Sequence, residues 1–169
     1  ILTTNNMKFY KKAKNFRNLG SDKKFIHTQI GFNSRLDTIQ AVVLTHKLKN
    51  LEKYNKKRSN LAKYYDENIN NNKITKLNYS RQSVYHQYVI LVKNRTKLKN
   101  LLEKKKIQYG FHYPQSINQL DCFKKQFKSK KFKNSENIAN NCLSLPIDPT
   151  LNSREIKKII SVLNSFKDW

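Results

Sequence analysis

The sequence predicts an α/β chain in which helical segments come first and short strands follow. Apolar residues recur at helical spacing over residues 7–69, and the β-branched and aromatic run SVYHQYVILV at 83–92 predicts a strand. Helical and extended patterns then alternate up to Phe166, which favours a small α/β layer in this part of the chain. A length of 169 residues is enough for one domain with a hydrophobic core, or for one part of a larger enzyme.

The first predicted elements are a helix and a loop that leads into a second helix. The helical pattern of residues 7–19 ends at a glycine, and a loop leads on to Asn33. Ser34 is expected to cap a helix that begins at Arg35, with Asp37 completing a capping box. Asn33 and Arg35 would then lie beside the positive end of that helix, where backbone N–H groups favour a phosphate. An ordinary loop before a well-capped helix is the alternative.

The next predicted element is one long helix. A helical pattern without Gly or Pro starts at Arg35 and reaches the three asparagines at 70–72. Such a helix exceeds the usual globular length, so it is expected to bend near residues 52–55 and to bridge two domains. The remaining elements are expected to be a strand at 83–92, a helix at 95–105, a strand at 107–112, a short helix within 116–127, a helix at 136–142 capped by Ser135, an extended segment at 143–149 and a final helix from Ser153 to Phe166.

The charge balance is strongly basic, with 35 Lys and Arg residues against 11 Asp and Glu and a formal net charge of +24. Such a charge invites a nucleic-acid-binding function. Lysine is spread along the whole chain, however, together with many Asn, Ile, Tyr and Phe residues, which share A/T-rich codons. Genome composition explains this bias more simply than a phosphate-binding face does. We therefore expect no specific nucleic-acid partner, and a basic nucleic-acid-binding module stands as an alternative.

Export and membrane insertion are not expected from this sequence. It contains no run of about 18 apolar residues and no signal peptide. Cys122 and Cys142 match no metal-site spacing and no disulfide framework, and both are expected to be packed inside a reduced, cytoplasmic protein. The opening residues ILTTNN are typical of the end of a strand and include no initiator methionine. We therefore expect this sequence to be a piece of a longer chain.

Three blocks of the sequence together resemble one family. They are GFNSRLDTIQA at 31–41, SVYHQYVI at 83–90, and the pair FHYP at 111–114 and CLSLPIDPTL at 142–151. In this order and at these separations they resemble the DegT/DnrJ-type sugar aminotransferases. The opening TTNN…NFRNLG is similar to the family's stretch just after its Schiff-base lysine. The resemblance covers nearly the whole chain and is closest to the branch that aminates the 3-keto group of UDP-linked 2-acetamido-hexuronic acids.

The resemblance implies a fold and a domain organisation. The fold would be the C-terminal portion of a fold-type I pyridoxal-phosphate transferase, the architecture of aspartate aminotransferase. Residues 1–34 would be the tail of the cofactor-binding large domain, residues 35–72 a long bridging helix and residues 73–169 a small C-terminal α/β domain. The resemblance also implies pyridoxal 5'-phosphate as cofactor, a homodimer with a composite active site, and a nucleotide-sugar substrate aminated, from a donor such as glutamate, for surface polysaccharide synthesis.

Four residues carry the family's binding roles by resemblance. Asn33 matches the asparagine that reaches across the dimer interface to the cofactor phosphate of the other subunit. Arg35 matches the arginine that helps to hold the nucleotide-sugar, and His112 and Tyr113 match the pair that lines the substrate site. An amide, a guanidinium, an imidazole and a phenol all donate hydrogen bonds to phosphate or sugar oxygens, which suits these roles. Alternatively, His112 simply closes a strand.

No residue of this chain matches the family's Schiff-base lysine, because no lysine stands in a Ser-His-x-Lys context. Transamination depends on that lysine, so the chain alone is expected to be inactive. The sequence also departs from the family after FHYP, where Ser116 and Ile117 replace a Pro-Leu pair and Leu120 replaces a glutamine. A non-catalytic family member that acts as a regulator or scaffold is therefore the second hypothesis.

Overall fold

The computed structural model describes residues 1–80, 82–128 and 130–167. The elements in these ranges are α1 (Met7–Phe16), β1 (Ser21–Lys23), β2 (Ile26–His27), α2 (Thr38–Leu48), α3 (Leu51–Asn68), β3 (Thr75–Lys76), β4 (Tyr88–Leu91), α4 (Arg95–Lys104), a 3-10 turn (Ile117–Gln119), α5 (Asp121–Phe127), α6 (Lys133–Asn141), β5 (Cys142–Leu145) and α7 (Ser153–Asn164). They confirm the predicted α/β class. The chain divides into two compact units, the first spanning Ile1–Asn50 and the second beginning at Leu51.

The first unit is built from α1, the β1–β2 hairpin and α2. The side chain of Asn6 caps α1 by accepting from the backbone N–H groups of Lys8 and Phe9, at 3.0 and 3.2 Å. Strands β1 and β2 pair antiparallel. None of the hydrophobic side chains in residues 1–50, all of which the structure describes, is buried. The unit is therefore held by backbone hydrogen bonds, and it presents its apolar side chains outward.

The second unit contains the hydrophobic core. Its sheet has the order β3-β4-β5 with both pairs antiparallel, and β4 aligns Tyr88 with Leu145 and Leu91 with Cys142. All four residues of β5 are buried, as expected for a strand covered on both faces. Helices α3, α4 and α7 pack further side chains into the core, and residues of the connecting segments complete it. The fully buried large side chains are Tyr65, Tyr88, Ile90, Leu98, Leu102, Leu143, Leu163, Val92 and Cys142.

The start of the second helix differs from the prediction. Helix α2 begins at Thr38 and its N-cap is Asp37, whose backbone N–H donates to Oε1 of Gln40 at 3.3 Å. The predicted cap at Ser34 is wrong because the backbone N–H of that residue donates instead to the carbonyl of Arg17, at 2.9 Å. The predicted long helix is two helices, α2 and α3, separated by residues 49–50.

The strands of the second unit are shorter than predicted. Only Tyr88–Leu91 of the run 83–92 is paired, and Tyr85 has a left-handed backbone (φ 48°) that a strand does not accommodate. The predicted strand at 107–112 is reduced to one bridge between Gly110 and Ser144. Helix α4 matches its prediction, whereas α6 begins at Lys133, ahead of the predicted cap at Ser135.

The final helix was predicted almost to the residue. Helix α7 covers Ser153–Asn164, but the cap is Asn152 and not Ser153. The Asn152 side chain accepts from the backbone N–H of Glu155 at 3.0 Å, and the Glu155 carboxylate accepts from the backbone N–H of Asn152 at 2.9 Å. This reciprocal capping box fixes the first turn one residue earlier than predicted.

Candidate functional site

Backbone hydrogen bonds hold the segment that carries Asn33. The N–H of Leu19 donates to the carbonyl of Phe32 at 3.0 Å, and the N–H of Phe32 donates to the carbonyl of Phe16 at 2.7 Å. Asn18 and Asn33 form an isolated antiparallel bridge. The ring centroids of Phe16 and Phe32 lie 5.9 Å apart. The segment is therefore fixed against the end of α1 in extended form, which sets the position of Asn33.

Gly31 allows this close backbone packing. A Cβ atom at Gly31 would lie 2.2 Å from the nitrogen of Gly20 and 2.7 Å from the carbonyl oxygen of Phe16. Both are backbone atoms held by hydrogen bonds: the N–H of Gly20 donates to the carbonyl of Asn15 at 2.9 Å, and the carbonyl of Phe16 accepts from Phe32. Gly20 itself has a left-handed backbone (φ +72°), which favours glycine for a second reason. The glycine of the GFNSR block is thus required by the geometry that positions Asn33.

Asn33 and Arg35 form a hydrogen-bonded pair on the surface of the first unit. Nε of Arg35 donates to Oδ1 of Asn33 at 3.2 Å, and both side chains are exposed. In the described part of the chain, neither Nδ2 of Asn33 nor the terminal guanidinium nitrogens of Arg35 donate to another group. The pair therefore presents several N–H donors and one positive charge to solvent, which suits an anion. Because α2 begins only at Thr38, the predicted placement of both residues beside a helix N-terminus is wrong.

His112 and Tyr113 lie in the second unit, on the segment between α4 and the 3-10 turn. Nδ1 of His112 lies 2.8 Å from Oγ of Ser144, and the residue as a whole is exposed. The side chain of Tyr113 is 72% exposed, and its ring meets that of His112 edge-on with centroids 5.6 Å apart. Sγ of Cys142 donates to the carbonyl of Tyr113 at 3.5 Å. The pair thus combines an anchored imidazole with an accessible phenol.

A cavity of about 520 Å³ opens beside Tyr113, a volume in the range of small-molecule sites. It is lined by Tyr113, Gln115, Ser116, Ile117, Asn118, Phe127, Phe132, Ser135, Ile138 and Ala139. Glu136 stabilises one wall by accepting from Nδ2 of Asn118 at 2.8 Å and from the backbone N–H of Phe132 at 3.2 Å. These hydrogen bonds, the backbone one first, hold the pKa of Glu136 below its usual value.

Arg95 supports the His112 segment and was not singled out by the sequence. Its Nη1 donates to the carbonyl oxygens of Ala139 and Cys142, at 2.6 and 3.3 Å. Its guanidinium carbon lies 4.6 Å from the centroid of the Phe111 ring. Arg95 therefore ties the start of α4 to the end of α6, to β5 and to the residue that precedes His112. In the sequence it was visible only as the first residue of a predicted helix.

The two cysteines differ in their surroundings. Cys142 is buried, as predicted, whereas Cys122 is exposed, so its predicted packing is wrong. Among the residues that the structure describes, no three His, Cys, Asp or Glu side chains are grouped to hold a metal ion. The helices of the described ranges include none that is long and apolar enough to cross a membrane.

Comparison with known proteins extends the resemblance seen in the sequence. Residues 1–164 match the model of the DegT/DnrJ/EryC1/StrS aminotransferase family. A dTDP-3-amino-3,6-dideoxy-alpha-D-galactopyranose transaminase from Aneurinibacillus thermoaerophilus is 32% identical, the match covering 98% of this chain and 46% of that protein. A UDP-2-acetamido-2-deoxy-3-oxo-D-glucuronate aminotransferase from Pseudomonas aeruginosa is 30% identical, and the match covers 86% of this chain and 41% of that protein. A "pleiotropic regulatory protein" from Geobacillus stearothermophilus is 27% identical, with 98% and 46% covered.

Solved structures show the same fold. The S. venezuelae protein DesV superimposes with a TM-score of 0.85 at 26% identity, covering 98% of this chain and 47% of its own. A DegT DnrJ EryC1 StrS aminotransferase from Brucella abortus superimposes with a TM-score of 0.82 at 28% identity, covering 95% and 44%. The chain therefore spans a little under half the length of the relatives and structures that it matches.

Proposed function

Because the chain belongs to the DegT/DnrJ/EryC1/StrS aminotransferase family, we propose that it forms part of a pyridoxal-phosphate-dependent sugar aminotransferase. The enzyme would transfer an amino group from an amino acid such as glutamate to a keto group of a nucleotide-sugar, leaving the corresponding 2-oxo acid. Its product would enter surface polysaccharide synthesis, and the enzyme would work in the cytoplasm. The match of residues 1–164 to the family model supports this proposal.

We propose the 3-keto group of the sugar as the site of amination. The relative from A. thermoaerophilus is named for a 3-amino sugar, and the relative from P. aeruginosa is named for a 3-oxo sugar acid. The first is a dTDP-sugar and the second a UDP-sugar, so the position on the ring is shared while the nucleotide differs. The blocks NSRLDTIQA, SVYHQY and HYP favour the UDP-linked 2-acetamido-hexuronic acid.

The Asn33–Arg35 pair is the observation that carries the proposed binding roles. The free amide donors of Asn33 suit a contact with the cofactor phosphate, because an amide donates without adding charge. Arg35 would bind an acidic group of the nucleotide-sugar as a fork, through the terminal nitrogens that its contact with Asn33 leaves available. These residues thus fit the phosphate end of the cofactor. When bound, pyridoxal phosphate supplies the electron sink that amino-group transfer requires.

His112 and Tyr113 are proposed to contact the substrate. Both side chains are exposed, and Tyr113 lines a cavity large enough for a small molecule. The ring of His112 meets that of Tyr113 edge-on, with centroids 5.6 Å apart. The cavity walls include Phe127 and Phe132, whose rings lie edge-on at 5.6 Å. Apolar walls with a few polar groups are typical of ligand sites.

A homodimer is proposed because the first unit leaves so much apolar surface uncovered. Four apolar side chains of α2 are each at least 49% exposed: Ile39, Val42, Val43 and Leu44. A helix that is apolar on all sides is expected to be covered on all sides. We propose that a second copy of the chain covers part of this surface and that Asn33 acts on the cofactor held by that copy.

Assay of the product of the whole gene tests the proposed reaction. Purified with pyridoxal phosphate, it is expected to convert glutamate to 2-oxoglutarate beyond a single turnover only when a UDP-linked 3-keto sugar is supplied as acceptor. The 169-residue chain alone is expected to be inactive, because it contains no Ser-His-x-Lys lysine. Reading the coding DNA upstream of the Ile1 codon is the first step. An in-frame Ser-His-x-Lys segment supports the enzyme, and a start codon near Ile1 contradicts it.

Complementation between two inactive variants tests the composite site. One variant carries Asn33→Asp, which places a negative charge where a phosphate is proposed, and the other lacks the cofactor-binding lysine. If Asn33 acts across the interface, random mixing restores about a quarter of the wild-type sites, since half of the dimers are hybrids and each hybrid has one intact site. If Asn33 acts within its own subunit, mixing restores no activity and the cross-dimer role is wrong.

A regulatory role is the second candidate function. The relative from G. stearothermophilus is named as a regulatory protein, and it matches 98% of this chain. In this case the exposed apolar surface of α2 would bind a partner protein, and no cofactor would be required. The whole-gene product would then show no glutamate-dependent amination with any of the keto-sugar nucleotides tested.

A further inference from the structure

Ser144 lies on β5 with its side chain directed at His112. It is 5% exposed and is one of the two buried polar residues, with Ser116, among those the structure describes. Its Oγ lies 2.8 Å from Nδ1 of His112, and this is the one hydrogen bond that the hydroxyl makes within the described ranges. A buried hydroxyl in a strand of apolar residues is costly unless it is paired, so this contact accounts for its presence.

The backbone fixes Ser144 from two sides. On one side β5 pairs with β4, where Ser144 aligns with Val89. On the other side Ser144 and Gly110 exchange two backbone hydrogen bonds, at 3.0 and 2.8 Å. The segment that carries His112 is thus attached to the core sheet two residues before the imidazole. The position of the hydroxyl relative to the ring follows from the sheet and does not depend on a flexible loop.

Gly110 provides the space that the imidazole occupies. A Cβ atom at Gly110 would lie 2.6 Å from Cε1 and 3.3 Å from Nδ1 of His112. The backbone of Gly110 is not left-handed, so an alanine would fit the main chain and conflict only with the ring. This glycine is therefore required by the ring of His112 and not by the conformation of its own backbone.

The direction of the Ser144–His112 hydrogen bond follows from which of the two groups donates its proton to the other. If Nδ1 donated to Oγ, the hydroxyl proton would remain buried without a partner, which costs about as much as a lost hydrogen bond. If the hydroxyl donates to Nδ1, its proton is used, and the neutral ring must carry its own proton on Nε2. The second arrangement leaves no donor unsatisfied. It also makes Nε2–H a donor, and Nε2 has no hydrogen-bond partner among the residues that the structure describes.

We propose that Ser144 and Gly110 are positioning residues that hold His112 in the tautomer protonated at Nε2, so that the ring donates a hydrogen bond to an oxygen of the anionic nucleotide-sugar. The identity of the ligand rests on the function proposed above, whereas the fixed tautomer does not. A donor aimed at phosphate or carboxylate oxygens gains from having its direction set before binding. The conformational entropy of the His112 side chain is then lost on folding and not on binding.

The tautomer of His112 is measured from the ring ¹⁵N shifts of the histidine-labelled chain at about pH 8.5, where an ordinary imidazole is neutral. His46 is the internal reference, because it is exposed and makes no hydrogen bond within the described ranges. We expect His112 to be almost entirely protonated at Nε2. In Ser144→Ala its shifts should move towards those of His46, and Ser144→Thr, which keeps the hydroxyl, should restore them. Gly110→Ala should move the His112 shifts in the same direction as Ser144→Ala does, although Ser144 itself is unchanged.

Each outcome has a defined meaning. Wild-type shifts of His112 that equal those of His46, or shifts unchanged in both Ser144→Ala and Gly110→Ala, overturn the positioning role. If one variant fails to fold, as judged from the core methyl signals, the other decides. Titration of the whole-gene product with UDP-glucuronic acid separates this inference from the proposed function. A wild-type His112 signal that is held in one tautomer but does not respond to the nucleotide-sugar leaves the positioning role intact and contradicts substrate binding. Where binding occurs, Ser144→Ala should weaken it about three- to tenfold.

Discussion

Replacement of Arg95 by methionine is expected to destabilise the second unit and to free the segment that carries His112. The side chain is half-buried and joins four parts of the fold: the start of α4, the end of α6, β5 and the ring of Phe111. Methionine keeps much of the apolar stem but removes the charge and every N–H donor. The carbonyl oxygens of Ala139 and Cys142 then lose a charged donor.

The size of the effect follows from three contacts. A hydrogen bond from a charged donor contributes roughly 1.5–3 kcal/mol to stability, and we assign about 2 kcal/mol to the 2.6 Å hydrogen bond with Ala139. The 3.3 Å hydrogen bond with Cys142 is longer, and we assign about 0.5 kcal/mol to it. Stacking of a guanidinium on an aromatic ring adds about 0.5–1 kcal/mol at a partly exposed position. The free energy of unfolding should therefore fall by about 3 kcal/mol. Arg95→Lys, which keeps one hydrogen bond but not the planar stack, should lose about half as much.

Urea unfolding followed by circular dichroism measures this loss, and the signals of the Phe111 ring report its local environment. The matched control is Arg154→Met, because Arg154 is exposed on α7 and its replacement should change the free energy of unfolding by less than about 0.5 kcal/mol. If Arg95→Met is as stable as this control and Phe111 keeps its native shifts, the contacts of Arg95 contribute nothing and the assignment of a structural role is refuted.

Three further outcomes are expected. Leu102→Ala, at a fully buried core position of α4, should cost about 2–5 kcal/mol in urea unfolding. Hydrogen bonds lower the pKa values of Glu136 and Asp148 in the folded chain. The stability that these carboxylates contribute is therefore present above the ordinary carboxyl pKa range and is lost as pH falls through the lower folded-state values. In the double variant Glu136→Gln with Asp148→Asn, acid unfolding followed by circular dichroism should depend less steeply on pH. Gly31→Ala should displace the segment that holds Asn33 and reduce amination by the whole-gene product about tenfold or more, with folding checked separately.

The helices were predictable where the signal is local. In α7, isoleucine and leucine spacing and a polar cap lie within 15 residues, and the prediction missed only the cap, which is Asn152 and not Ser153, and the end, which is Asn164 and not Phe166. The error at α2 has a different cause. Ser34 and Asp37 both suit an N-cap, and the decision is made by the end of α1, where the carbonyl of Arg17 takes the N–H of Ser34. That contact depends on tertiary packing, which hydrophobic periodicity does not contain.

The supporting residues of the site were missed because their partners are distant in sequence. Arg95 donates to a carbonyl 44 residues away, and the hydroxyl of Ser144 meets an imidazole 32 residues away. A weak signal was available for the second of these: Ser144 is a lone polar residue between leucines in a run that otherwise predicts a buried strand. Asn33 and Arg35 were first indicated by the predicted start of a helix, whereas His112 and Tyr113 were found only through the family resemblance. The roles of all four residues stay predictions.

The two pairs of candidate residues differ in what holds them. His112 is attached to the core sheet through Gly110 and Ser144, and β5 behind it is buried along its whole length. The Asn33–Arg35 pair depends on a few backbone hydrogen bonds in a unit that buries no hydrophobic side chain. Such a unit gains little from the hydrophobic effect, so we expect its geometry to depend on the second copy of the chain that we propose covers α2. In the 169-residue chain the imidazole should therefore keep its fixed tautomer even where the phosphate contact of Asn33 is lost. Experiments on Asn33 and on nucleotide-sugar binding therefore need the whole-gene product, whereas the tautomer of His112 is measurable in the 169-residue chain.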